Sequence, residues 1–316
     1  MLRFLLPLVL AASACAGDAP LFELAGTVKT ETRAAVSLFG DSSPFSAYTT
    51  SDESGRFTFK KLLPGTYTLA VFVPARGEAR RTVEVGPGTA DAHGRVALSL
   101  EFKDSDFVFA DAMRRRNSVS ASQLAIPEKA EREYEEAERE LGRHNVEAAT
   151  SHLEEAVRLA PQFSAAWNNL GTIAYQTQQF DRAETCFREA LKQDPQSFEP
   201  LVNLGGVLVT VHKLDEAWEY NAYAVMARPN DALANAQMGQ TYFLANNYEL
   251  ALKYLERARQ IDPAHFSRPQ LFMAEIHLRQ GDPHAAAGDL EDFLKHHPDW
   301  PQAEKMRAQI AAWRKQ

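Results

Sequence analysis

The chain has 316 residues, a formal net charge of −8 and two cysteines. That length exceeds one ordinary hydrophobic core and sets an expectation of about two domains. The acidic balance argues against nucleic-acid binding, which needs a concentrated basic face for phosphate contacts. Two cysteines, one of them at position 15, give no disulfide framework, so stability has to come from packing.

The first segment carries Arg3, an apolar run from Phe4 to Ala12 broken by Pro7, and then small residues. The run is far short of the roughly 20 apolar residues that span a bilayer, and it reads as a signal peptide over residues 1–16. Ala12-Ser13-Ala14 fits the small-x-small rule for cleavage before Cys15, and Ala14-Cys15-Ala16 fits it again two residues later. The four residues 12–15 also resemble a bacterial lipobox, with Ala12 standing where leucine is usual. That resemblance implies lipidation of Cys15; the alternative cleavage removes it. The expectation is an exported protein, periplasmic or secreted, touching the membrane only through a lipid anchor.

From residue 21 to about 103 the apolar pattern has period two. Phe22, Leu24 and Val28 alternate with polar or small residues, and so do Phe57 and Phe59, Tyr67 to Val73, Val83 and Val85, and Val96 to Phe102. Each set places apolar side chains on one sheet face. The breaks at residues 52–55, 63–65, 74–77 and 86–88 hold the Gly, Pro, Asp and Ser that tight turns require, Gly55 and Gly65 among them. About seven short strands without an intervening helix predict a small β-sandwich. The phrase from Thr50 to Phe59, followed by Leu63-Pro64-Gly65-Thr66-Tyr67-Thr68-Leu69 and preceded by Gly26-Thr27-Val28 and Ala35-Val36-Ser37-Leu38, resembles the carboxypeptidase regulatory-like, or transthyretin-like, sandwich family. The resemblance implies an attached structural or binding module.

Residues 104–126 form a linker without dominant period. It holds Arg114-Arg115-Arg116 among acidic neighbours, which reads as a solvated run. Phe107, Val108 and Phe109 are too apolar for a free tether and are expected to pack on a domain. Pro127 suits the first turn of a helix.

Residues 127–316 repeat. Ala149, Ala183, Ala217 and Ala251 are 34 apart, as are Ala156, Ala190, Ala224 and Ala258, and Pro161, Pro195, Pro229 and Pro263. Residues 164–197 read as two helices, the first with Trp167, Leu170 and Gly171 and the second with Ala183, Phe187 and Ala190. This period and pattern resemble the tetratricopeptide family. Gly171, Gly205 and Gly239 are expected to let paired helices approach closely, and Asn221, where Phe187 and Leu255 stand in the neighbouring copies, to mark a looser site. A fifth copy, displaced by one residue, carries Phe293 where alanine is usual. Asp299 is expected to cap a last helix whose stripe Ala303, Met306, Ile310 and Trp313 seals the stack. The predicted architecture is multidomain: a small all-β sandwich followed by an all-α helix-turn-helix solenoid of about five repeats and a capping helix.

His144 and Glu147, and His152 and Glu155, have an H-x-x-E spacing, but both pairs fall in the first repeat and its turn. No H-E-x-x-H, Cys/His cluster or Gly-rich phosphate loop accompanies them, and His296-His297 is expected to be exposed. No catalytic residue, metal or cofactor is therefore expected. The concave groove is the expected site. If Trp167, Leu170, Gly171 and Ala174 face their partner helix, the groove lines are Asn168, Thr172 and Tyr175; then Val202, Gly206 and Val209; then Ala236, Gln240 and Phe243. This neutral, partly apolar lining suits a protein or peptide partner held as a helix or extended strand. Tetratricopeptide proteins that clamp a peptide's C-terminal carboxylate use Lys, Asn and Arg at such positions; only Asn168 matches. The expected function is an exported, non-enzymatic interaction scaffold, with a hydrolase or carbohydrate-processing accessory whose sandwich binds glycan as the alternative.

Overall fold

The computed structural model describes residues 20–30, 32–74, 76–108 and 126–315. The signal segment with Cys15, the arginine run and Phe109 lie outside the described residues.

Seven strands precede the helices: β1 (Phe22–Val28), β2 (Ala35–Gly40), β3 (Ser46–Thr50), β4 (Arg56–Leu62), β5 (Gly65–Val73), β6 (Gly77–Val85) and β7 (Arg95–Leu100). They form a three-stranded sheet of order β4-β1-β7 and a four-stranded sheet of order β3-β2-β5-β6. β1 runs antiparallel to β4 and parallel to β7, and the second sheet is antiparallel throughout. Leu24, Leu38, Leu62, Leu69 and Val71 are fully buried between the sheets, where period-two alternation puts them. Gly55 has φ 75°, a conformation that side chains resist, and its absent Cβ leaves room for the Val28 carbonyl. The same expectation does not hold for Gly65, which is not among the left-handed glycines.

β5 departs from simple alternation, because Thr66 and Ala70, on the face opposite Tyr67, Leu69 and Val71, are buried too. Thr68 and Phe72, on that same outer face, line a cavity shared with the helical array. Part of the linker does pack on the sandwich: the Phe107 ring lies 5.7 Å from Phe102 beneath the Arg76 guanidinium, and Val108 pairs with Glu78 at the edge of β6.

Eleven α-helices are described, five antiparallel pairs and a last one. They are α1 (Glu128–Gly142), α2 (Val146–Leu159), α3 (Ser164–Gln176), α4 (Phe180–Gln193), α5 (Phe198–Thr210), α6 (Leu214–Ala227), α7 (Ala232–Leu244), α8 (Tyr248–Ile261), α9 (Pro269–Arg279), α10 (Pro283–His296) and α11 (Ala303–Trp313). The turn inside each pair repeats as faithfully as the helices. His144, Gln178, His212, Asn246 and Gly281 all take left-handed φ, between 58° and 80°. A Cβ on Gly171, Gly205 or Gly239 would lie 2.6, 2.0 or 2.7 Å from Phe187, Asn221 or Leu255 respectively, so these glycines do set the helix approach. Asn221 is not the loose site expected of it: it is fully buried, and its Nδ2 donates to Thr241 Oγ1 at 3.0 Å. Ala303, Met306, Ile310 and Trp313 are buried against α10, as their spacing predicts. Asp299 caps no helix, since α11 starts after Gln302; its carboxylate is used elsewhere.

Candidate functional site

The outer face of the β3-β2-β5-β6 sheet lies over the concave side of the array and is fastened at both ends. At the first end Tyr48 Oη donates to Glu138 Oε1 at 2.8 Å, the Phe45 ring stacks on His144 at 4.8 Å, and Gln176 Nε2 donates to the Gly40 carbonyl at 2.8 Å. At the far end the Thr82 N–H donates to Asp262 Oδ2 at 2.8 Å and Arg81 Nη1 to the Ile261 carbonyl at 2.9 Å. There the Gly88 N–H also reaches both oxygens of Asp299, at 2.8 and 2.9 Å. A Cβ on Gly86 or Gly88 would come within 2.4 or 2.6 Å of that carboxylate, so the Gly-Pro-Gly turn is shaped for the contact as well as for the bend.

His297 corrects an expectation. It is 2% exposed rather than solvated, with Nδ1 2.6 Å from Glu84 Oε2 and its ring against Phe293. The histidines with H-x-x-E spacing are likewise engaged in packing. His144 stacks on Phe45, and His152 Nδ1 meets Glu133 at 2.7 Å while Glu155 pairs with Lys129 and Arg158. Among the described residues no group of three or more His, Cys, Asp or Glu side chains is placed to hold a metal ion. Cys186 is buried, and burial pushes its thiol above the ordinary range.

Between the two fastenings lies a cavity of about 1610 Å³. The sheet contributes Phe39, Asp41, Tyr48, Thr68, Phe72 and Arg80, and the array contributes the inner faces of α1, α3, α5 and α7. Of the residues expected to line the groove, Asn168, Thr172, Tyr175, Val202, Gly206 and Gln240 are on the cavity wall. Val209, Ala236 and Phe243 are not. Val209 packs with Leu204 and Leu208, Phe243 packs with Leu255, Met273 and Ile276, and Ala236 is fully buried. The inward face is centred on the expected line of Thr172, Gly206 and Gln240, but it extends to the amides beside Asn168 and Val202 rather than to Val209 and Phe243. It follows Asn169, Asn203 and Gln237, which are themselves 34 apart, then Thr172, Gly206 and Gln240. Reading that amide line at the repeat period would have found it. The lining is thus more polar than the neutral, partly apolar groove expected.

The amides are ordered. Asn203 Nδ2 donates to Asn168 Oδ1 at 3.0 Å, and Asn169 Nδ2 donates to Tyr134 Oη at 3.0 Å. Gln237 is 7% exposed and tucked over Gly206, where a Cβ would lie 2.3 Å from its Nε2. Its buried Oε1 has no hydrogen-bond partner. At one end, burial raises the Glu138 carboxyl above its usual range despite donors from Tyr48 and Tyr134. On the sheet side, burial pushes Asp41 well above the usual carboxylate range, and Asp262 adds to the effect while the Thr68 hydroxyl and Arg268 oppose it. Asp41 Oδ1 accepts from Thr68 at 2.7 Å, and Oδ2 is buried without a partner. Burial also keeps His265 below its ordinary value, with Nδ1 2.7 Å from Ser267 Oγ.

Fold and site together define a small β-sandwich module seated on a helical-repeat array. The family models agree: residues 23–99 match the carboxypeptidase regulatory-like domain, and residues 134–198 and 242–310 match two tetratricopeptide repeat models. The chain therefore contains a carboxypeptidase regulatory-like domain followed by tetratricopeptide repeats. Among curated proteins it is similar to the cell division cycle protein 16 homolog of Homo sapiens, 26% identical over 162 residues, which cover 48% of this chain and 26% of that protein. It is also similar to the anaphase-promoting complex subunit CDC16 of Saccharomyces cerevisiae, 34% identical over 104 residues, 33% of this chain and 12% of that one. The matches span about a quarter or less of those relatives' length. Among solved structures, PilW, described as a type IV pilus biogenesis factor, superposes with a TM-score of 0.52 at 22% identity, over 59% of this chain and 86% of that chain, and shows the fold alone. Repeats of this kind support a scaffold for protein–protein interaction.

Proposed function

We propose that the protein is an exported, non-enzymatic scaffold that holds an extended peptide segment of a protein partner between its sandwich and the concave face of its repeats. The observation that carries this reading is the amide line Asn169, Asn203 and Gln237 on the cavity wall. Carboxamides both donate and accept, so a line of them can hydrogen-bond both the N–H and the C=O groups of an extended backbone. Export rests on the signal pattern of residues 1–16.

Pull-down from bacterial envelope extract with the full chain tests the site, comparing wild type with Asn203→Ala plus Gln237→Ala. Loss of a discrete set of partners is expected; identical partner lists overturn the assignment. Labelling with palmitate tests the anchor: incorporation into wild type and none into Cys15→Ser is expected, and an unlabelled wild type removes the lipid reading. A glycan-binding and peptidase screen, with metal analysis, addresses the alternative of a hydrolase accessory.

A further inference from the structure

The outer face of α6 differs from the outer faces of its sister helices. At positions 34 apart, Trp218 stands where α4 has Glu184, Tyr223 where α4 has Glu189 and α8 has Arg257, and Met226 where α4 has Lys192 and α8 has Gln260. The positions of Tyr223 and Met226 carry charged or polar residues in both sister helices, whereas that of Trp218 is Leu252 in α8 and a largely buried Glu184 in α4; in α6 all three side chains are exposed, Trp218 by 47%, Tyr223 by 64% and Met226 by 76%. The buried side of the same helix is Ala217, Asn221 and Ala224, so helical spacing places Tyr223 and Met226 on the opposite face and Trp218 at its flank. Trp218 is held in position, its Nε1 donating to Tyr242 Oη at 3.1 Å, and Tyr242 in turn stacks on Tyr254 at 5.7 Å. Such a patch is costly to leave in water, and Trp, Tyr and Met are the residues that concentrate at interface centres.

Charge on the same face points to the partner. Asp215 and Glu219, one turn apart and on the stripe with Tyr223, are exposed and make no ion pair among the described residues, whereas neighbouring Glu216 is already paired with Arg188. We infer that the convex face of α6 is a second docking surface, for an amphipathic segment of a partner protein whose apolar side chains are flanked by Lys or Arg. The apolar side chains cover Trp218, Tyr223 and Met226; the cations meet Asp215 and Glu219 and stack on the indole and phenol rings. This surface belongs to α6 alone and does not depend on occupancy of the cavity.

The test uses the full chain at about 0.15 M salt, where long-range attraction is screened, and a fluorescein-labelled amphipathic peptide of Leu and Lys, with a Leu and Glu peptide as counterpart. Fluorescence anisotropy is expected to show saturable binding of the basic peptide only. A triple variant, Trp218→Glu, Tyr223→Glu and Met226→Lys, installs the residues that α4 carries at these positions. It is expected to weaken binding at least tenfold even though it makes the face more acidic, and Asp215→Asn plus Glu219→Gln is expected to weaken it several-fold. Should the triple variant lose its helical circular dichroism, Met226→Lys alone serves, with a smaller loss expected. Absence of binding by wild type, equal binding of both peptides, or an unchanged affinity in the folded variants overturns the proposal. Concentration-dependent self-association of wild type that the triple variant lacks would assign the face to a second copy and overturn it equally.

Discussion

Asp262→Ala probes how firmly the sandwich is seated. Asp262 is 5% exposed, and its Oδ2 accepts the N–H of Thr82, itself a buried residue, at 2.8 Å. β6 is an edge strand, hydrogen-bonded to β5 on one side; on the other its N–H groups are met by the linker at Val108 and by Asp262. Edge groups left bare are a liability. Removing the carboxylate strands the Thr82 N–H away from water, at a cost of about 1–3 kcal/mol. With about 1.4 kcal/mol per factor of ten, that is roughly 5- to 150-fold in the equilibrium for local opening. Hydrogen–deuterium exchange of the intact protein, followed by mass spectrometry on peptides covering residues 77–85, reads this directly. Faster exchange is expected in β6 and not in the β4-β1-β7 sheet, with a smaller effect for Asp262→Asn, which keeps an acceptor. Unchanged exchange in β6 would refute the view that Asp262 fastens the sandwich to the array.

Gly171→Ala places a Cβ 2.6 Å from the Phe187 ring, in a core where Phe187 is 1% exposed; a loss of about 1–3 kcal/mol is expected from overpacking, with partial rescue by Phe187→Leu in a denaturation series. Asp41→Asn keeps the acceptor for Thr68 but removes a carboxyl whose folded pKa is raised by burial and by Asp262. A raised folded pKa means stability is full below the ordinary Asp value of about 3.9 and is lost as pH rises through the folded value. The variant should therefore melt higher than wild type near neutral pH, with the gain shrinking towards pH 4 in calorimetric scans. A gain that grows on acidification would contradict the burial of Asp41.

Much of the fold was legible because its signals are local. Alternation at Tyr67, Leu69, Val71 and Val73, the alanines and prolines 34 apart, and the glycines facing Phe187 and Leu255 each report a contact within one element or between neighbours. What was not legible depends on the sandwich meeting the array. Asp299 resembles a helix cap until Gly88 is seen beside it, and His297 resembles a surface residue until Glu84 is. Six of the nine expected groove positions lie on the cavity wall, Asn168 among them, but the adjacent line of Asn169, Asn203 and Gln237 was missed because periodicity fixes a stripe without fixing its width. The second burial of β5, at Thr66 and Ala70, was present in the chain only as two small residues and carried no pattern.

Site-specific photo-crosslinking from the cavity wall tests the central claim most directly. A benzoylphenylalanine at Gln240, on the inner face of α7, and another at Glu249, exposed on α8, are to be activated in envelope extract with the full chain. A cross-link to a contiguous partner peptide from position 240, lost in Asn203→Ala plus Gln237→Ala and absent from position 249, is the expected result. No cross-link from position 240, or one that persists unchanged in the double variant, would contradict peptide binding between the sandwich and the repeats.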